Sequence, residues 1–266
     1  MTPSHSEGSE GCIIHGLGEH SGRYHPTVES LLRAPSLRSI RLFDFPGHGR
    51  SAGRRGDGVR GFASYVDVIG EVLSDHPQVQ WVWAHSMGAL ALFSYLEQCQ
   101  TIPAQLKQLV LSAIPFEVVQ QPTTLERLAL PVLRKVAAGL VLPTHIQSSQ
   151  ISSMATEQKK YESDPLVHCK ISVRVYDGLV NQTHNYAQRF VALVKRSKLC
   201  VLLAHGHDDT IASIKGCDRI QQRMKDEHPE VRGRVSVRVY DSSRHEIHHD
   251  QNRAVFLKDL IAWVSV

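Results

Sequence analysis

The 266-residue chain has no long apolar run. Stretches such as AAGLVL at 137–142 fall far short of the about 20 residues that cross a bilayer as a helix. A membrane-spanning helix is therefore not expected. Residues 1–10, MTPSHSEGSE, hold no apolar stretch of the kind a secretory signal needs, and they read as a flexible terminus. Cysteine is sparse and scattered, at 12, 99, 169, 200 and 217, with no CxxC pair. An odd, dispersed set argues against a disulfide framework and for reduced thiols in a cytoplasmic setting. Net charge is small: 30 basic against 26 acidic residues gives +4. That is too little to point to nucleic acid, although it slightly favours an anionic membrane surface. Internal repeats and low-complexity tracts are absent as well.

What is present is a globular composition. Hydrophobic residues make up 42% and charged residues 21%, enough for a sizeable core in one large α/β domain. Short apolar, β-rich runs recur: CIIH (12–15), SIRLFD (39–44), VQWVWA (79–84), KQLVLSA (107–113), LCVLLA (199–204) and VSVRVYD (235–241). Helical patterns separate them at about 24–33, 61–75, 87–99, 212–228 and 250–264. Strands this apolar, alternating with helices, predict an α/β fold with a mostly parallel sheet covered on both faces. Asp250 is the expected N-cap of the last helix, which carries Val255, Phe256, Leu260 and Trp263 on one stripe.

Residues 116–195 break this rhythm and read as a helical insertion between two parts of a sheet domain, 11–115 and 196–266. Leu125, Leu128, Val132, Val136 and Leu140 follow helical spacing, with Pro131 expected to start a new helix or kink one.

The densest chemical signal is the junction VQWVWA–His85-Ser86-Met87–GALALFSYL. A strand, a serine and a helix, with small residues two places either side of the serine, form a nucleophile elbow. Ala84 stands where glycine is usual, a departure of one methyl group. A serine hydroxyl is a poor nucleophile at neutral pH and needs an oriented base. Candidates follow in the order acid, then histidine. Asp208 and Asp209 come after LCVLLA, and His245 comes after VSVRVYD. His245-Glu246-Ile247-His248-His249 also fits the HExxH zinc pattern. That chemistry needs both histidines on one continuous helix, and a strand precedes His245 instead. His205-x-His207-x-Asp209 resembles part of a binuclear metal set but lacks its last histidine, since Thr210 occupies that place. No metal or other cofactor is expected.

Taken in order, HGLGEHSGRY (15–24), FDFPGHGRSAGRRG (43–56), AHSMGA (84–89), SDPL (163–166), GHDDTI (206–211) and YDSSRHEIHH (240–249) resemble the monoacylglycerol lipase family of lid-bearing α/β-hydrolases. The resemblance implies a serine hydrolase that cleaves a monoacylglycerol or similar lipid ester. Ser86 would be the nucleophile, His245 the base and Asp209 the acid, with Asp208 as rival. Backbone N–H groups of Leu17 and Met87 would form the oxyanion hole. Glu19, Arg23 and His248 match positions lining a pocket for the glycerol end, whereas Glu246 and His249 read as structural or solvated. The PGHGRSAG loop reads as a brace of tight turns.

The resemblance also makes 116–195 a lid whose apolar face and basic residues Arg127, Arg134 and Lys135 would touch membranes from the cytoplasmic side. Family members usually carry a strand hairpin ahead of the HGxG strand. Only ten polar residues precede that strand here, so the hairpin is expected to be missing and a sheet edge exposed. A lysophospholipase or general carboxylesterase is the nearest alternative activity. A catalytically silent lipid- or protein-binding relative is the alternative of another class.

Overall fold

The structure, a computed structural model, describes residues 8–119 and 124–265. In chain order it runs β1 (Ser9–Ile14), α1 (His25–Leu31), β2 (Leu37–Leu42), α2 (Ala63–Asp75), β3 (Trp81–His85), α3 (Met87–Gln98) and β4 (Gln108–Ser112). Then come α4 (Thr124–Val136), β5 (Val141–Pro143), α5 (Ser148–Ile151), α6 (Ala155–Ser163), β6 (Lys170–Ser172), α7 (Val173–Gln182) and α8 (Tyr186–Arg196). The chain closes with β7 (Cys200–Gly206), α9 (Lys215–Glu227), β8 (Val235–Tyr240) and α10 (Arg253–Val264).

Six strands form one parallel sheet in the order β2-β1-β3-β4-β7-β8. All six runs picked out by composition are these strands. Side chains alternate across the sheet with period two, so each strand feeds two cores. Cys12, Ile14, Val82, Ala84, Leu109, Leu111, Val201 and Leu203 face α2, α3, α8 and α9. Ile13, Trp81, Trp83, Val110, Leu202 and Ala204 face α1 and α10, where Phe256, Leu260 and Val264 are buried. Covering both faces is why these strands read as continuous apolar runs. Among the described residues β2 is one edge of the sheet, and its Arg38 and Arg41 reach Glu10 of β1 at 3.6 and 3.8 Å.

Between β4 and β7 the chain leaves the sheet. The sequence pattern foresaw helices here but missed the antiparallel pair β5–β6, in which Val141 lies opposite Ser172. Strands of three residues carry too little periodicity to be seen. Pro131 lies inside α4 rather than at the start of a new helix. The last helix of the stretch, α8, turns Phe190, Val191 and Val194 into the core beside α3 and α9. Arg174 at the start of α7 grips Asp57 with two hydrogen bonds of 2.8 and 2.6 Å, tying the stretch to the glycine-rich loop after β2. In that loop Gly47, Gly49, Gly53 and Gly56 all have positive φ, in keeping with a brace of tight turns.

Asp250 does not cap α10; Asn252 occupies that position. The Asp250 carboxylate instead accepts hydrogen bonds from the backbone N–H groups of Ser153, Arg244 and Gln251, joining the His245 loop to the turn between α5 and α6. A buried carboxylate surrounded by convergent donors is better satisfied there than at a solvated helix end.

Candidate active site

β3 delivers Ser86 at the carboxyl edge of the sheet. Its backbone sits at φ 50°, ψ −122°, a region L-residues rarely occupy, and α3 starts at the next residue. The sharpness of this turn explains Gly88: a Cβ there would stand 2.3 Å from the His15 carbonyl oxygen. Ala84 is fully buried, and its single methyl group is accommodated.

Three chain-distant side chains meet here. Ser86 Oγ lies 2.9 Å from His245 Nε2, and His245 Nδ1 lies 2.8 Å from Asp209 Oδ2. Asp209 Oδ1 accepts from the N–H groups of Ile211 (2.8 Å) and Ala212 (3.0 Å). His205 backs the acid from the other side, at 3.4 Å from Oδ2 and 3.0 Å from the Ala212 carbonyl. Burial alone would raise the Asp209 carboxyl. His245 and His205 outweigh that and hold it far below its usual range, so it stays charged beside the imidazole. Asp208, by contrast, is exposed and pairs with His207 at 2.8 Å. Of the two adjacent acids, the fold therefore brings only Asp209 to His245.

Leu17 follows β1, Met87 opens α3, and both line the same cavity as Ser86 and His245. Among the described residues neither of their backbone N–H groups has a hydrogen-bond partner. The loop carrying Leu17 is held from inside and outside. Glu19 Oε1 accepts from Gly16 N–H at 2.5 Å and from the Tyr24 hydroxyl at 2.8 Å. His168 N–H donates to the Gly18 carbonyl at 2.8 Å, and His20 pairs with Asp164 at 2.8 Å.

The cavity encloses about 430 Å³. Its walls are mostly apolar, with Leu130, Leu133, Leu142, Ile151, Val173 and Leu179 supplied by the stretch between β4 and β7. It also has a polar end, where side-chain atoms of Glu19, His85 and Glu246 gather within 4.8 Å of one another. Of the three residues matched to a polar pocket, only Glu19 lines the cavity. Arg23 lies buried behind it, bonded through Nη2 to Glu246 Oε2, with Nε 3.5 Å from Glu19 Oε2 and Cζ 4.9 Å above the Tyr161 ring. His248 is set deeper still. Its ring stacks on Tyr24 at 4.8 Å and sits 5.1 Å from both Trp83 and His85.

Glu246 is the residue the sequence reading missed. It is 2% exposed yet lines the cavity, rather than serving as a solvated or purely structural group. Its place directly after His245 was the available signal. Burial and the nearby Glu19 push its carboxyl up to about 7, against the pull of Arg23. Burial works the same way on Glu19, but His85, Arg23 and the Gly16 N–H reverse it and lower the carboxyl to about 2. As one coupled pair around a single guanidinium, the two carboxyls keep a proton to higher pH than separate acids would.

The HExxH pattern does not form a zinc helix. Residues 247–249 are a short 3-10 turn, and His245 Nε2 is taken by Ser86. Two groups do gather ligand atoms within 4.8 Å of one another: Glu246, His248 and His249, and Glu19, His85 and Glu246. Both depend on Glu246, whose carboxylate already binds Arg23, so a divalent ion would have to settle beside a fixed cation. In the His205/His207 motif, His205 is buried against Asp209 while His207 points to solvent.

A family model described as Hydrolase_4, serine aminopeptidase, S33, matches residues 11–252. The chain belongs to this family. It is 30% identical over 263 residues to the monoglyceride lipase of Homo sapiens, covering 95% of this chain and 81% of that protein. It is 26% identical over 258 residues to a monoacylglycerol lipase of Mycolicibacterium smegmatis, covering 95% and 86%. Among solved structures, the monoacylglycerol lipase of Paleococcus ferrophilus superposes with a TM-score of 0.82 at 25% identity, covering 97% of this chain and 96% of that one. The α/β-hydrolase fold expected from the ordered motifs is thus met, and the Hydrolase_4 match ends at residue 252, beyond the His245 loop.

Proposed function

We propose that the chain hydrolyses monoacylglycerols to fatty acid and glycerol through an acyl-enzyme on Ser86. The observation that carries this reading is the Ser86–His245–Asp209 hydrogen-bond chain in the wall of a largely apolar cavity with a polar end. In the proposed reaction Ser86 Oγ attacks the ester carbonyl while His245 Nε2 takes its proton. Asp209 keeps the imidazole in the right tautomer and stabilises its charged form. The N–H groups of Leu17 and Met87 receive the developing oxyanion, each such donor being worth about 2.7–4 kcal/mol in the transition state. His245 then protonates the departing glycerol and activates water against the acyl-enzyme. Glu19 accepts the glycerol hydroxyls, with Arg23 behind it and His248 stacked on Tyr24, whose hydroxyl donates to Glu19. Relatives named as monoglyceride lipases support the substrate class.

The stretch over the cavity serves in this reading as a lid that delivers the acyl chain. Val132 and Val136 on α4 are 60% and 76% exposed, near Arg134 and Lys135. Together with half-exposed Leu140 and Leu142 they form a face suited to peripheral contact with a membrane. Among the described residues no helix is long and apolar enough to cross one. All five cysteines are unpaired, which fits a reducing cytoplasmic setting.

Fatty-acid release from monoolein tests the reading. Ser86→Ala is expected to lower turnover by about 10⁶ and abolish fluorophosphonate labelling. Near-normal release by that variant would end the assignment. A folded wild-type protein that does not label would instead favour a silent binding relative.

A further inference from the structure

The polar end of the cavity carries charge of one sign. Glu19 and Glu246 line it, and among the described residues no lysine or arginine lines the cavity. The nearest cation, Arg23, is buried behind them and is already engaged by both carboxylates and the Tyr161 ring. His85, the third polar group there, is held neutral because burial lowers it to about 3. Among the described residues Glu246 Oε1 accepts no hydrogen bond, while its Oε2 is fixed by Arg23. An oxygen free to accept, beside a cation that cannot be approached, suits a hydroxyl donor. It does not suit a second anion.

We propose that Glu246 makes this site selective for uncharged, hydroxyl-bearing head groups and excludes monoacyl lipids whose head group carries a phosphate. The inference rests on the reading of the cavity as a monoacyl ester site and names what that site rejects. Above about pH 8, where Glu246 has lost its proton, a phosphate placed at this end would give up its water, meet two carboxylates and find no free cation among the described lining residues. Like charges brought together in this way are a repulsive specificity element. A glycerol head places O–H donors against the same oxygens at no such cost.

The test compares 1-oleoylglycerol with 1-oleoylglycerol 3-phosphate at pH 8.5, where Glu246 is ionised, both below their micellar concentrations, on wild type and Glu246→Gln. Wild type is expected to favour the neutral ester by about 100-fold or more in kcat/KM. Glutamine keeps the shape and removes the charge, so the preference should shrink by about tenfold or more. Comparable rates on both esters in wild type, or an unchanged ratio in Glu246→Gln, would overturn the proposal. Should that variant not fold, wild type still decides through matched ethers competing against p-nitrophenyl butyrate. There 1-O-dodecylglycerol should inhibit and its 3-phosphate should not, and equal or stronger inhibition by the phosphate would sink the idea. If wild type turns over p-nitrophenyl butyrate but not 1-oleoylglycerol, the monoacylglycerol reading fails. The ether pair then judges the charge preference separately.

Discussion

Two neighbouring aspartates show how local geometry divides identical chemistry. Asp209 receives two backbone N–H bonds and faces His245, whereas Asp208 is turned to solvent against His207. Asp209→Asn should lower kcat by about 10⁴, because the amide favours the wrong imidazole tautomer. Asp208→Asn should leave kcat within about twofold, as expected for an exposed pair. Reversed effects in steady-state assays would reassign the acid. Glu246 supplies a different prediction, in stability against pH. Its carboxyl is raised from 4.5 to about 7, so between those values the native state holds a proton that the unfolded chain has released. The stabilisation is complete below the unfolded value and is lost as pH climbs through about 7. Melting temperatures of wild type should therefore fall between pH 5 and 8 by more than those of Glu246→Gln. A parallel decline in the two proteins would contradict the shift.

The loop after β1 works as a unit held from two directions. Its inner side is fixed by Glu19, and its outer side by His168 and Asp164 from the stretch between β4 and β7. Gly18 sits at φ +78°, and a Cβ there would lie 2.2 Å from the His168 carbonyl oxygen, a backbone atom with little room to yield. Gly18→Ala should cost about 1–2 kcal/mol for the left-handed backbone alone. It should also lower kcat/KM by at least about tenfold, because Leu17 N–H moves with the loop. A variant with unaltered melting temperature and rate would show that the loop tolerates the change. The outer bracing was not readable from sequence, since it depends on contacts between residues about 150 positions apart. The strands and the elbow were readable because their signals are local: short continuous apolar runs, and small residues flanking a serine. The β5–β6 pair and the role of Glu246 were not. One is too short to show a period, and the other owes its importance to Arg23 and Glu19 arriving beside it.

At the scale of the molecule, β4 and β7 are direct neighbours, with Gln108 opposite Cys200, although the whole cavity-covering stretch lies between them in the chain. The chain thus departs from the sheet and returns one strand away. Closing a loop costs only about 0.6 kcal/mol more for each doubling of its length, so the stretch can lengthen, shorten or be exchanged with little disturbance to strand pairing. The Ser86, Asp209 and His245 groups are anchored at strand ends, while most apolar walls of the cavity belong to the stretch between β4 and β7. New cavity walls are therefore open to evolution within this stretch, provided that its His168 and Asp164 contacts to the loop after β1 are kept.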